Sequence, residues 1–78
     1  MALLNKIETT PDLVDQVYRK LLDAISEGTL QPGARMTQED IAAQLAVSRQ
    51  PVHQALRLLK QDGFVIDAPG RGVKISAP

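Results

Sequence analysis

Apolar residues recur every three or four positions through residues 11–27, the spacing that places them on one face of a helix. Thr10 precedes Pro11, and a hydroxyl residue followed by proline is a common helix start. Gly28 is a natural stop. The pattern predicts a first helix over 11–27 whose apolar face consists of Leu13, Val14, Val17, Tyr18, Leu21, Leu22 and Ile25.

Two shorter amphipathic segments follow, separated by about three residues. Thr37 is expected to cap the first, which ends near Ala46, and Ser48 to cap the second, which Gly63 closes. Two short helices joined so tightly are typical of a helix-turn-helix unit. Their apolar faces consist of Ile41, Ala42 and Leu45 in one helix, and of Val52, Ala55, Leu56 and Leu59 in the other.

The remaining segments predict a little β structure. Residues 64–66 and 73–75 have strand-like composition, and Pro69-Gly70-Arg71-Gly72 between them is typical of a turn. Residues 29–36 predict a turn with one short strand. We therefore expect a mainly α fold with a small β-hairpin, a winged helix-turn-helix in the order α-β-α-α-β-β. The domain spans 11–76 after an N-terminal arm, 1–10, and the wing tip is 67–72.

Composition excludes several classes of protein. The 78 residues contain 44% hydrophobic and 23% charged residues, as expected for one small globular domain. Two aromatic residues are too few for a protein that stacks single-stranded bases. The absence of cysteine excludes disulfides and thiolate metal sites. Neither a membrane span nor a secretion signal is recognisable, so we expect a cytoplasmic protein with no membrane partner.

Charge is distributed unevenly although the net charge is zero. Residues 1–48 carry four basic and seven acidic groups, whereas residues 49–78 carry five basic and two acidic groups. The two parts thus have charges of −3 and +3. A local positive surface can attract phosphate even when the total cancels, which favours a nucleic-acid partner.

The polar face of the third predicted helix offers groups that can read DNA. Arginine can donate two hydrogen bonds to guanine, and glutamine can bind the edge of adenine in the major groove. The start of such a helix usually reaches the bases, so Arg49, Gln50 and His53 are the candidate base contacts. Arg57 and Lys60 lie further along and are expected to meet phosphates or solvent.

Three other residues are candidate DNA contacts. Ser48 is expected to cap its helix and also to receive a phosphate at the helix N-terminus. Gly70 marks the wing tip, where Arg71 between two glycines can enter the minor groove. Turn geometry alone would also explain these glycines.

Other interpretations remain open for the same residues. A polar helix face can be an ordinary solvated surface, and a winged helix can serve protein–protein association instead of specific DNA binding. His53 is the single histidine, so a metal site is disfavoured, but a DNA contact and a simply exposed side chain remain equally open. No arrangement of residues indicates an enzyme, a cofactor site or a metal site.

Several segments together resemble the N-terminal domain of GntR-family regulators, with a spacing similar to that of the FadR-like branch. The resemblance covers about 13–76 and is most specific in the Val-Ser-Arg-x-Pro-Val segment at 47–52. The matching segments are 31–36, 40–56, 60–65 and 69–72.

This resemblance implies a bacterial repressor or activator that binds a short palindrome in double-stranded DNA as a homodimer. It implies base reading from Arg49, Gln50 and His53, and a wing in the minor groove. Family members carry a C-terminal domain that binds a metabolite and supports dimerisation. Because this chain stops at Pro78, we expect a DNA-binding fragment that lacks that domain, and a naturally free-standing domain remains the alternative interpretation.

Three residues depart from the family pattern. His53 stands where arginine is usual, which would make that contact dependent on pH, because histidine titrates near neutrality. Glu39 stands where many relatives have arginine, and would repel phosphate unless turned away. Ala46 stands where glycine is common, which predicts backbone strain if that position is left-handed.

Overall fold

The computed structural model describes residues 13–76, so the predicted N-terminal arm and the Thr10-Pro11 helix start lie outside the described residues. The elements are α1 (Leu13–Glu27), β1 (Arg35–Met36), α2 (Gln38–Leu45), α3 (Arg49–Gln61), β2 (Val65–Asp67) and β3 (Val73–Ile75). This is the predicted order, and it confirms a mainly α winged helix-turn-helix.

The core is aliphatic and lies between the three helices and the sheet. α3 contributes the most deeply buried face, with Val52, Ala55 and Leu59 fully inaccessible to solvent. Val17 and Leu21 of α1 pack onto this core, whereas the predicted core residue Leu13 is 48% exposed. Removal of so much apolar surface from water is the main force that holds a small domain together.

The sheet has the strand order β1-β3-β2, with β3 antiparallel to both neighbours. β2 begins at Val65, so the prediction that Phe64 belongs to the strand is wrong. The Phe64 N–H donates to the Leu59 carbonyl and completes the end of α3, where Gly63 has a φ of +85°. Asp67 pairs with Val73, which shortens the wing tip from the predicted 67–72 to 68–72.

A bond between side chains joins the two longest helices. The Tyr18 hydroxyl of α1 donates to the carboxylate of Asp62, which is the C-cap residue of α3. This hydrogen bond, with a smaller contribution from desolvation, raises the pKa of Tyr18 above its ordinary value. α1 is thus fixed at the end of α3 that lies away from the helix-turn-helix junction.

The turn between α2 and α3 contains Ala46 in the left-handed conformation, with φ 57° and ψ 46°. Its N–H donates to carbonyls of the last turn of α2, and the N–H of Val47 donates to the Ala42 carbonyl. This geometry satisfies the helix end, but alanine adopts it at a cost. The left-handed conformation on which the predicted strain depends is therefore present.

We expect Ala46→Gly to raise the free energy of unfolding by about 0.5–1 kcal/mol, because relief of the left-handed strain exceeds the added entropy of an unfolded glycine. The matched control is Ala43→Gly on the exposed side of α2, which should instead lower the unfolding free energy by about 1 kcal/mol. Thermal unfolding of both variants measures the two shifts. A fall in stability for both would contradict a strained turn at Ala46.

Candidate nucleic-acid interface

The N-terminus of α3 begins at Ser48, which occupies the predicted N-cap position but makes no side-chain cap bond. The prediction that its hydroxyl caps the helix is therefore wrong. A capping side chain accepts from the second or third N–H of the helix, and the third residue here is Pro51, which has none. At the start of α2, by contrast, the N–H of Asp40 donates to the Thr37 hydroxyl at 3.1 Å.

The outward face of α3 carries the predicted base-reading residues. Arg49, Gln50, His53 and Arg57 are all exposed, whereas Pro51 on the inner side of the first turn is buried. The structure therefore brings these four polar side chains onto one accessible face. Such a face, rigidly packed from behind, can present hydrogen-bond donors to a flat ligand surface such as the edge of a duplex.

One contact with β1, one hydrogen bond within the wing and one ion pair with α3 hold the wing in place. The Arg35 guanidinium donates to the Pro69 carbonyl at 2.7 Å, and the Ala68 N–H donates to the Gly72 carbonyl at 3.1 Å. At the α3 side, Lys60 and Asp67 form an ion pair at 2.8 Å. Lys60 was predicted to meet phosphate or solvent, but in the structure it bonds the base of the wing.

Glu39 joins the start of α3 to the wing tip. Its Oε2 accepts from Arg49 Nη1 at 3.3 Å and from Arg71 Nη2 at 3.1 Å. The three side chains are exposed, with relative accessibilities of 46% for Glu39, 67% for Arg49 and 80% for Arg71. Gly70 lies beside Arg71 at the exposed tip. Glu39 is thus not turned away from the basic face but forms part of it.

The charge of Glu39 is stabilised by its surroundings. Its own backbone N–H has the largest effect and lowers the pKa of the carboxyl group. Desolvation comes second and raises this pKa, and the charge of Arg71, followed by the hydrogen bond and charge of Arg49, lowers it further. The carboxylate therefore remains ionised at pH values at which a glutamate with an ordinary pKa would already take up a proton. It is a fixed negative charge within a positive surface.

His53 also contacts the first turn of α2. Its Nδ1 lies 2.8 Å from Nε2 of Gln38. In the tautomer that has its proton on Nε2, Nδ1 accepts from the Gln38 amide. Gln38 is a part of this site that the sequence analysis missed, because no local pattern links it to a residue fifteen positions away.

Two other kinds of feature are absent from the described part of the chain. Residues 13–76 contain no group of histidine and acidic side chains that could hold a metal ion. None of the helices within the same residues has the length and apolar character that membrane crossing requires. What the described surface offers is a positive, hydrogen-bonding face formed by α3, the first turn of α2 and the wing.

Comparison with protein families identifies this architecture. Residues 13–75 match the model of the bacterial regulatory proteins of the gntR family. The chain belongs to the GntR family. The matched region is the helix-turn-helix DNA-binding domain of these transcription regulators, and the related proteins are regulators rather than enzymes.

Relatives of known sequence or structure support the GntR assignment. An HTH-type transcriptional regulator of Agrobacterium vitis is 38% identical over 64 residues, which cover 82% of this chain and 37% of the relative. The structure of Escherichia coli McbR/YncC has a TM-score of 0.80 and 33% identity, covering 86% of this chain and 32% of that one. The chain spans about a third of the length of the curated relatives it matches.

A second similar structure is a DNA complex. The DNA-binding domain of AraR, solved with operator ORR3, has a TM-score of 0.79 over 97% of this chain and 93% of that one. Its identity of 21% means that the likeness concerns the fold. The family match and both structures thus agree on the fold of a GntR DNA-binding domain.

Proposed function

We propose that this GntR domain binds double-stranded DNA sequence-specifically, with α3 in the major groove and the wing in the minor groove. The observation that carries the proposal is the single exposed face on which Arg49, Gln50 and His53 lie beside Arg71 of the wing. A helix backed by a buried apolar face can enter a groove about 12 Å wide without losing its packing.

Each residue has a role that follows from its chemistry. Arg49 is the leading base reader, because a guanidinium can bind guanine O6 and N7 together, and Gln50 and His53 assist it. Ser48 supplies a phosphate contact, since its hydroxyl is not used for capping and it stands at a helix N-terminus. Arg57 lies two turns along α3 and contacts a phosphate. Gly70 lets Arg71 enter the minor groove.

The full regulator is proposed to be a cytoplasmic homodimer. A two-fold symmetric dimer places two recognition helices about one turn of DNA apart and so reads a short palindrome. The additional length of the relatives has room for a domain that binds an effector and holds the dimer together. The AraR structure, in which a domain of the same fold is bound to an operator, supports DNA as the partner.

The test is selection from a random pool of duplex DNA by the 78-residue chain at moderate salt, followed by a salt titration on the enriched sequence. We expect the selection to enrich one short motif. The logarithm of the association constant should fall linearly with the logarithm of the salt concentration, with a slope of about −0.9 for each phosphate contact. Weak binding that enriches no sequence would contradict specific recognition and would favour a winged helix used for protein–protein association.

A further inference from the structure

Glu39 lies between Arg49, to which the proposed function assigns a base contact, and Arg71, which it places in the minor groove. One oxygen atom of its carboxylate accepts a hydrogen bond from Arg49 of α3 and another from Arg71 of the wing. We propose that Glu39 is a specificity-determining residue, which holds the two arginines as one unit and keeps phosphate out of the gap between them. This inference rests on the proposed DNA-binding function.

The geometry leaves both arginines able to bind a base. Each guanidinium reaches Glu39 through a single terminal nitrogen, Nη1 of Arg49 and Nη2 of Arg71. A guanidinium has five N–H groups, so one bond to Glu39 leaves four on each arginine. Reading guanine requires two of them. Glu39 thus limits the orientation of Arg49 without occupying all of its donors.

The structure also fixes the position of the carboxylate itself. Thr37 caps the first turn of α2 through its hydroxyl, and Arg35 bonds the wing backbone at Pro69. The first turn of α2 and the wing are thereby held in one arrangement, with Glu39 between them. The pKa of Glu39 is lowered first by its own backbone N–H and to a smaller extent by Arg71 and Arg49, so the carboxylate stays charged in this position.

The charge of Glu39 discriminates between two kinds of contact. A phosphate approaching the gap between Arg49 and Arg71 meets a negative carboxylate and is repelled. A guanine edge is neutral and offers acceptors, so it meets only the donors that remain. Non-specific binding depends on phosphate contacts, and specific binding adds base contacts. Glu39 should therefore weaken non-specific binding more than specific binding.

The experiment compares Glu39→Gln with the wild-type chain on two duplexes, the selected sequence and a scrambled sequence of the same composition. Glutamine has nearly the same shape but no charge. We expect it to bind the scrambled duplex several-fold more tightly and to lower the ratio of specific to non-specific affinity about tenfold. The gain on scrambled DNA should shrink at high salt, because salt screens phosphate contacts.

Asp40→Asn provides the matched control. It removes one negative charge from the same turn of α2, but among residues 13–76 no ion pair links Asp40 to either arginine. A general effect of charge would alter both variants equally. We expect the specificity ratio of Asp40→Asn to stay within about twofold of the wild type. Thermal unfolding of each variant checks the fold, which exposed ion pairs of this kind stabilise little.

A second measurement tests whether Glu39 joins the two arginines. Arg49→Ala, Arg71→Ala and the double variant are measured on the selected duplex, with and without Glu39→Ala, which removes the shared acceptor as well as the charge. We expect the losses of the single variants to be non-additive in the wild type and additive when Glu39 is alanine. An unchanged specificity ratio for Glu39→Gln, or non-additivity that survives Glu39→Ala, would overturn the role of Glu39.

Failure of the underlying function has a different signature. If the wild-type chain enriches no sequence in the selection, specific DNA binding itself is wrong, and the role of Glu39 falls with it. If a motif is enriched and Glu39→Gln discriminates as well as the wild type, only the role of Glu39 is wrong. The two outcomes are separated by the wild-type selection alone.

Discussion

Replacement of Gly72 by alanine is expected to lower the free energy of unfolding by about 3 kcal/mol or more, through strain and overpacking. Gly72 has a φ of +84°, and a Cβ atom built there would lie 2.2 Å from the backbone oxygen of Met36. Met36 is paired with Val73 in the sheet. The clash is with backbone, so neither strand can yield without breaking this pairing.

Such a loss is large for a domain of this size, whose total stability is about 4–12 kcal/mol. The matched control is Gly70→Ala, because Gly70 has a φ of +85° but no atom within 4 Å of the added methyl group. The control should lose only about 1 kcal/mol to backbone strain. Urea or thermal unfolding of both variants gives the comparison. Equal losses would mean that contact with Met36 contributes nothing.

Arg49→Ala should produce the largest effect on DNA binding. We expect a loss of about 1–3 kcal/mol on the selected duplex, roughly 5- to 150-fold in Kd, with relaxed choice at one base pair. Without Arg49, the acceptors of the base that it contacts are buried in the complex with no hydrogen-bond donor. A duplex with a different base at that position never made this contact, so the variant should lose little affinity for it. Binding measured on single-base variants of the selected sequence tests this.

Arg57→Ala is the control for Arg49→Ala, since it removes the same charge from the same exposed face of α3. We expect it to weaken binding to all sequences alike and to lower the salt slope by about 1. A uniform loss for Arg49→Ala as well would identify Arg49 as a phosphate contact. The proposed assignment of base reading to the first turn of α3 would then be wrong.

Local patterns in the sequence predicted the elements and the core well. The spacing of Val52, Leu56 and Leu59 alone was enough to find the buried face of α3, because helix periodicity and burial act over a few residues. These features depend on neighbours in the chain. The strain at Ala46 was predicted on a different ground, because related domains commonly have glycine at that position, and the backbone there is left-handed.

The pairing of Glu39 could not be predicted in the same way. The sequence marked Glu39 as a departure from the family pattern, but its contacts with Arg49 and Arg71 depend on where the wing folds back. That position is set by the pairing of β1 with β3, which are distant in sequence. Side-chain pairs formed across such distances leave no local periodicity.

The cap of α3 is a different case, because its signal was present in the sequence. Pro51 stands third in the helix, and proline has no N–H to donate to a capping hydroxyl. The position of Ser48 at the helix start was predicted correctly, but the missing N–H of Pro51 was taken to cost nothing, and its consequence for the Ser48 cap was not drawn. A proline at this position leaves the hydroxyl available for a partner outside the protein.

The order of strands in the sheet has a consequence for the synthesis of this protein on the ribosome. β3 lies between β1 and β2, yet it comes last of the three along the chain. The N-terminus of the polypeptide leaves the ribosome first, so all three helices are synthesised before Val73–Ile75. Until that segment is available, β1 and β2 have no strand to pair with. Both the sheet and the part of the core supplied by Val73 and Ile75 can therefore be completed only when the last strand has been synthesised.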